Sequence, residues 1–177
     1  DHKSAGLRPP FSWCGELGSV VDAAGAEVRI FPELRQVVLA LHEAGVLLAV
    51  ASHDSKPEWC EQVLDCCFLD EEAGLTWGDL VPAALRVVKS SGPYWPGKSQ
   101  HLRDIQGSLP GGPCDFADML MFDDSKKICA EARALGAKAV RCLGGVSVAR
   151  LMEGLEAEAD AETGGGKRRR LGPSAAW

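Results

Sequence analysis

Met119-Leu120-Met121-Phe122-Asp123-Asp124 is a short apolar run that ends in two adjacent carboxylates, and a helix-like segment follows at once. The run reads as a buried strand of an α/β sheet with the acid pair at its carboxyl end. Two carboxylates are costly to place there without a partner. In open α/β sheets that end is also where ligands bind. A hard cation such as Mg²⁺, which prefers oxygen ligands, is the simplest partner. The pair therefore points to Mg²⁺-assisted phosphoryl transfer. The plain alternative is a strand-to-helix turn with an Asp N-cap.

Working outward, strand and helix patterns alternate. A helix is predicted from 125 to about 135, a strand over 138–143 and a last helix from 148 to about 159. Upstream, Pro32 sits near the start of a helix whose face carries Leu34, Val37, Val38, Leu41 and His42, and Gly45 stops it. Val46-Leu47-Leu48-Ala49-Val50-Ala51 is continuously apolar and reads as a buried parallel strand ending at Ser52. Pro57 opens a helix to about Cys66. Residues 68–97 are expected to be irregular, with a candidate strand at Leu85-Arg86-Val87-Val88, and a helix from Lys98 to about Gln106 turns Leu102 and Ile105 inward. Residues 1–26 read as loop or weak hairpin, and Val28-Arg29-Ile30 as a short strand. The fold class is α/β, a doubly wound parallel sheet with helices on both faces.

Bulk properties narrow the function. The 177 residues suit one domain, 1–160, followed by a disordered basic tail, 161–177. A net charge of −6 gives no global attraction to nucleic acid or to an anionic membrane surface. No apolar run approaches the roughly 20 residues that span a bilayer, and Asp1-His2-Lys3-Ser4 does not open a secretory signal. The seven cysteines lack zinc-type spacing and fit free thiols in a reducing compartment. A cytoplasmic location is expected, with Lys167-Arg168-Arg169-Arg170 as a candidate nuclear address.

Three positions belong together. Ser52, Lys98 and the Asp123–Asp124 pair all fall at strand or helix ends that a doubly wound sheet brings to one crevice. They supply a hydroxyl donor, a positive charge and a cation site, the set that stabilises a transferring phosphoryl group. Receiver domains use similar groups, but there the acid pair comes first in the chain and the lysine last. A Rossmann-type nucleotide binder needs a Gly-rich turn after its first strand, and none is present.

The order hydroxyl, lysine, acid pair resembles the haloacid dehalogenase superfamily of phosphohydrolases, and within it the magnesium-dependent phosphatase 1 family. The resemblance runs from about Pro9 to about Leu155. Its carriers are Pro9-Pro10-Phe11, Phe31-Pro32-Glu33, Leu41 to Val46 leading to Ala49-Val50-Ala51-Ser52, Tyr94-Trp95-Pro96-Gly97-Lys98 with His101 one turn on, Met121-Phe122-Asp123-Asp124 and Leu135-Gly136. It implies that Ser52 hydrogen-bonds a phosphoryl oxygen. Lys98 neutralises charge on the phosphoryl group and on the attacking carboxylate. Asp123 ligates Mg²⁺ directly, Asp124 ligates it through water or orients its shell, and His53 borders the substrate entrance. His101 reads equally well as a packing or capping residue. Phosphorylated small molecules, such as sugar phosphates, or phosphotyrosine in proteins are the implied substrates.

The superfamily's strand ending Asp-x-Asp-x-Thr, which carries the nucleophile and the acid/base, is not found in this sequence. In the superfamily that strand is central, between the strands matched by 46–51 and 119–122. Its loss leaves buried backbone groups unpaired at about 1–3 kcal/mol each, against a native stability of about 5–15 kcal/mol. The expectation is an N-terminally truncated, inactive form of a Mg²⁺-dependent phosphatase. The competing reading is a non-catalytic binding module. Genomic sequence upstream of the codon for Asp1 decides between them. An open frame encoding apolar residues and Asp-x-Asp-x-Thr is the expected result, and a stop codon there contradicts it.

Overall fold

The computed structural model describes residues 7–28, 30–90 and 97–163. Three short antiparallel strands come first: β1 (Ser12–Cys14), β2 (Ser19–Val21) and β3 (Glu27–Val28). The return into β3 is built around Asp22. Its carboxylate accepts the backbone N–H groups of Arg8, Ala24 and Ala26 at 2.9, 2.9 and 2.7 Å. The expected loop or weak hairpin is therefore a three-stranded unit. A buried Asp that satisfies three donors supplies what the sparse apolar pattern did not. Arg29 lies outside the described residues.

Helix α1 (Pro32–Glu43) begins with Pro32 in the first turn, where a missing N–H costs nothing, and buries Val37 and Val38. Strand β4 (Val50–Asp54) leads to α2 (Pro57–Cys66), again opened by a proline. A small hairpin, β5 (Phe68–Asp70) with β6 (Leu75–Thr76), runs into the short helix α3 (Trp77–Leu80). Thr76 and Asp79 cap α3 reciprocally. Much of the segment expected to be irregular is thus ordered. Strand β7 (Arg86–Ser90) pairs in parallel with β4, placing Val88 opposite Ser52. Helix α4 (Ser99–Gly107) follows, then β8 (Leu120–Asp123), α5 (Lys126–Ala134) and β9 (Lys138–Arg141). Strands β8 and β9 are parallel, with Arg141 opposite Asp123. Helix α6 (Val148–Thr163) ends the described chain. It runs through 161–163, the first residues of the expected tail; the rest of that tail, with Lys167–Arg170, lies outside the described residues, as do Tyr94, Trp95 and Pro96. None of the described helices is long and apolar enough to cross a membrane.

The fold is mixed α/β, but among the described residues the strands form four small sheets rather than one doubly wound sheet. The two parallel pairs, β4–β7 and β8–β9, are not hydrogen-bonded to each other. A cavity of about 760 Å³ is lined by Leu47, Ala49 and Ala51 on one side and by Leu120, Met121 and Phe122 on the other, with side chains of α1 and α4 completing it. The apolar clusters lie around this cavity. Val81, Leu85 and Ile105 form one, and Leu102, Met121, Ile128 and Cys129 belong to another.

The cavity explains the main local correction. The strand expected over 46–51 runs instead over Val50–Asp54. Its neighbour β7 begins at Arg86, opposite Val50, so residues 46–49 have no paired strand among the described residues. An apolar run becomes a buried strand only where a neighbouring strand takes its backbone groups. Val46 and Leu47 are accordingly 46 % and 54 % exposed. Ser52 therefore lies within β4, two residues before its end.

An open apolar cavity of this size binds hydrophobic dye. Anilinonaphthalene sulfonate is expected to fluoresce strongly with the 177-residue chain at neutral pH. Leu47→Lys, at a half-exposed lining position, is expected to weaken that signal without lowering the unfolding temperature by more than a few degrees. A dye signal equal to buffer contradicts the open cavity.

Candidate active site

The site is built at the end of β8. The Asp123 side chain is 4 % exposed, and its Oδ2 accepts a hydrogen bond from Lys98 Nζ at 2.6 Å. Its Oδ1 accepts the backbone N–H of Ser125 at 2.8 Å. Ser125, in turn, accepts the N–H of Ile128 and is the true N-cap of α5. The helix cap is thus Ser125 and not the acid pair, which nonetheless forms the strand-to-helix turn, with Asp123 accepting the Ser125 N–H. The Asp123 carbonyl accepts the N–H of Cys142 at 2.8 Å, which locks the residue against the strand end beside it. Asp124 is exposed, and its carbonyl accepts from Arg141 Nε at 2.9 Å. Asp124 is therefore held by its backbone at the rim of the site.

Lys98 arrives from the other side, as the N-cap residue of α4. The turn before it depends on Gly97, which is buried with φ +81. That left-handed backbone favours glycine, and a Cβ there would also lie 1.8 Å from the Glu131 carboxylate on α5, which would have to swing aside. An ion pair between side chains 17 % and 4 % exposed has little water to screen it. Removing one partner of such a pair leaves a buried charge uncompensated.

Ser52 enters through β4. Its carbonyl meets His101 Nε2 on α4 at 2.9 Å. A carbonyl only accepts, so Nε2 carries the proton. His53 Nε2 similarly donates to the Gly97 carbonyl at 3.2 Å. The Cys60 thiol lies against the Ser52 and Asp54 side chains. Burial, reinforced by the Asp54 carboxylate, pushes it up to about 11, so it is an inert neighbour rather than a nucleophile. The structure thus joins Lys98 to Asp123 directly and ties Ser52 to the Lys98 helix through His101. His53 holds the turn in front of Lys98.

Gly97 and His101 carry more of the geometry than sequence reasoning assigned them. The signal was present in the spacing Gly97-Lys98-x-x-His101, which places a positive-φ turn, a cation and a ring one helical turn apart.

Among the described residues no three His, Cys, Asp or Glu side chains are arranged to hold a metal ion. Mg²⁺ does not require such a cluster. It typically binds through one or two carboxylates, retained waters and substrate phosphate oxygens. Asp123 and Asp124 could supply carboxylates of that kind: each Asp123 carboxylate oxygen accepts one hydrogen bond and keeps a lone pair beyond it, and Asp124 lies next to it at the exposed rim.

The family model described as Acid Phosphatase matches residues 4–161. The chain belongs to this family of phosphatases, within the haloacid dehalogenase superfamily. It is 30 % identical over 158 residues to the human protein named magnesium-dependent phosphatase 1, covering 89 % of this chain and 79 % of the relative.

Lys98→Met is expected to destabilise the fold by about 3–5 kcal/mol in urea unfolding, because Asp123 is left buried and unpaired. Adding Asp123→Asn is expected to recover a substantial part of that loss. Equal stability of Lys98→Met and wild type contradicts the buried pair.

Proposed function

We propose that the protein is a Mg²⁺-dependent phosphomonoester hydrolase that works through an aspartyl phosphate. The observation that carries the reading is the buried Lys98–Asp123 pair at the end of a parallel strand, in a chain of the acid phosphatase family. The human relative's name extends the reading to magnesium.

Each residue has a part in it. Lys98 Nζ neutralises the phosphoryl oxygens and the attacking carboxylate. The Ser52 hydroxyl donates to a phosphoryl oxygen. Asp123 would hold Mg²⁺ directly, and Asp124, at the exposed rim, would hold it through water. His53 borders the substrate entrance while its Nε2 fixes the turn at Gly97. Bound Mg²⁺ supplies charge neutralisation on the phosphoryl oxygens.

The nucleophilic Asp is carried on an apolar strand seated in the cavity between residues 46–51 and β8. Its carboxylate oxygen bonds to phosphorus as the ester P–O bond breaks, and a neighbouring acid protonates the leaving alkoxide. The same group, now a base, takes a proton from a water whose oxygen attacks the phosphorus as the P–O bond to the Asp carboxylate breaks, releasing inorganic phosphate and restoring the carboxylate. No Asp-x-Asp-x-Thr occurs in residues 1–177, so these residues alone are inactive. Residues 1–160 form the phosphatase domain and 161–177 a tail. Phosphotyrosine in proteins and sugar phosphates are the two substrate classes proposed.

The test is phosphate release from p-nitrophenyl phosphate by the full-length protein. Turnover is expected with Mg²⁺, is lost with EDTA, and falls by at least about 100-fold in Lys98→Ala. Unchanged turnover in Lys98→Ala refutes the site. No Mg²⁺-dependent turnover in the wild type leaves the non-catalytic binding module as the better reading. Comparing a phosphotyrosine peptide with a sugar phosphate separates the two substrate classes.

A further inference from the structure

We propose that His101 is a positioning residue that sets the Ser52 hydroxyl and the Lys98 ammonium in one frame for a phosphoryl group. The inference deepens the phosphatase reading and rests on it.

His101 is 1 % exposed and sits one turn after Lys98 on α4. Its Nε2–H donates to the Ser52 carbonyl at 2.9 Å, linking the lysine-bearing helix to the serine-bearing strand. The next residue makes the reciprocal link, since His53 Nε2 reaches back to the carbonyl of Gly97, immediately before Lys98. The two rings meet edge-on, with centroids 4.2 Å apart. Two bonds of opposite direction, at 52–101 and 53–97, fix both the separation and the register of β4 and α4.

The other ring nitrogen shows what His101 is there for. Among the described residues its Nδ1 is buried without a hydrogen-bond partner. A buried orphan of this kind costs about 1–3 kcal/mol. An apolar side chain of similar bulk would fill the space without that cost, so packing alone does not explain a histidine here. Burial, with His53, Lys89 and Lys98 adding to it, holds the ring below its ordinary pKa. The ring is therefore neutral, with its single proton on Nε2. It offers one donor in one direction and adds no positive charge that would compete with Lys98 for the phosphoryl group. Misplacing a phosphate-binding group by about 1 Å can cost on the order of 100-fold in rate, so a rigid link between the two groups has a direct catalytic effect.

The experiment compares wild type, His101→Phe and His101→Gln in the full-length protein. Phenylalanine keeps the ring and removes the donor, whereas the glutamine amide N–H can take the place of Nε2–H. Affinity for inorganic phosphate in the presence of Mg²⁺ is measured by calorimetry at a temperature where circular dichroism shows all three folded. His101→Phe is expected to bind phosphate about tenfold more weakly, the loss of one positioned hydrogen bond, and His101→Gln is expected to recover most of that loss. Nitrogen-15 spectra of the wild-type rings are expected to show His101 as the Nε2–H tautomer, a readout that stands even where His101→Phe fails to fold. Equal phosphate affinity in His101→Phe and wild type overturns the inference alone, as does a ring protonated on Nδ1. A wild type that binds no phosphate overturns the phosphatase reading, and this inference with it.

Discussion

The Lys98–Asp123 pair is the constraint on which the rest of the site depends. A carboxylate buried at the end of β8 is tolerable only because the ammonium of Lys98 reaches it at 2.6 Å. The turn that presents Lys98 runs through Gly97 at positive φ. The start of α4 is in turn fixed to β4 through His101 and His53. Strand end, turn and helix are thus held in a closed loop of contacts. Asp124 remains exposed at the rim beside it, its carbonyl held by Arg141.

Helix α4 links the two parallel pairs: it packs on β4 and β7 and on α5, which packs on β8 and β9. Residues 46–51 and β8 face each other across about 760 Å³ lined by apolar side chains. The exposure of Val46 and Leu47 is the visible cost of this separation. We propose that an apolar strand filling this cavity also delivers the reacting carboxylate.

Several elements were legible in the sequence because their signals were local. Pro32 and Pro57 marked the two helix starts, Gly45 marked a stop, and the run 119–122 became β8 shifted by one residue. Lys98 and Asp123, far apart in the chain, were read as one site from chain order, and the structure brings them into contact. The misreadings have a common physical origin. An unbroken apolar run such as 46–51 carries no alternation, so it says nothing about which of its residues find a strand beside them. The true strand began four residues later and moved Ser52 from a strand end into its interior. The hairpin around Asp22 and the capped turn at Thr76–Asp79 depend on side chain-to-backbone bonds that leave little periodic trace.

We propose that Asp123, paired with Lys98 in this structure, is a Mg²⁺ ligand. Calorimetric titration of the full-length protein with Mg²⁺, beside Asp123→Asn, tests it most directly. The account predicts saturable binding by the wild type that Asp123→Asn abolishes. Indistinguishable Mg²⁺ isotherms for the two proteins would contradict it.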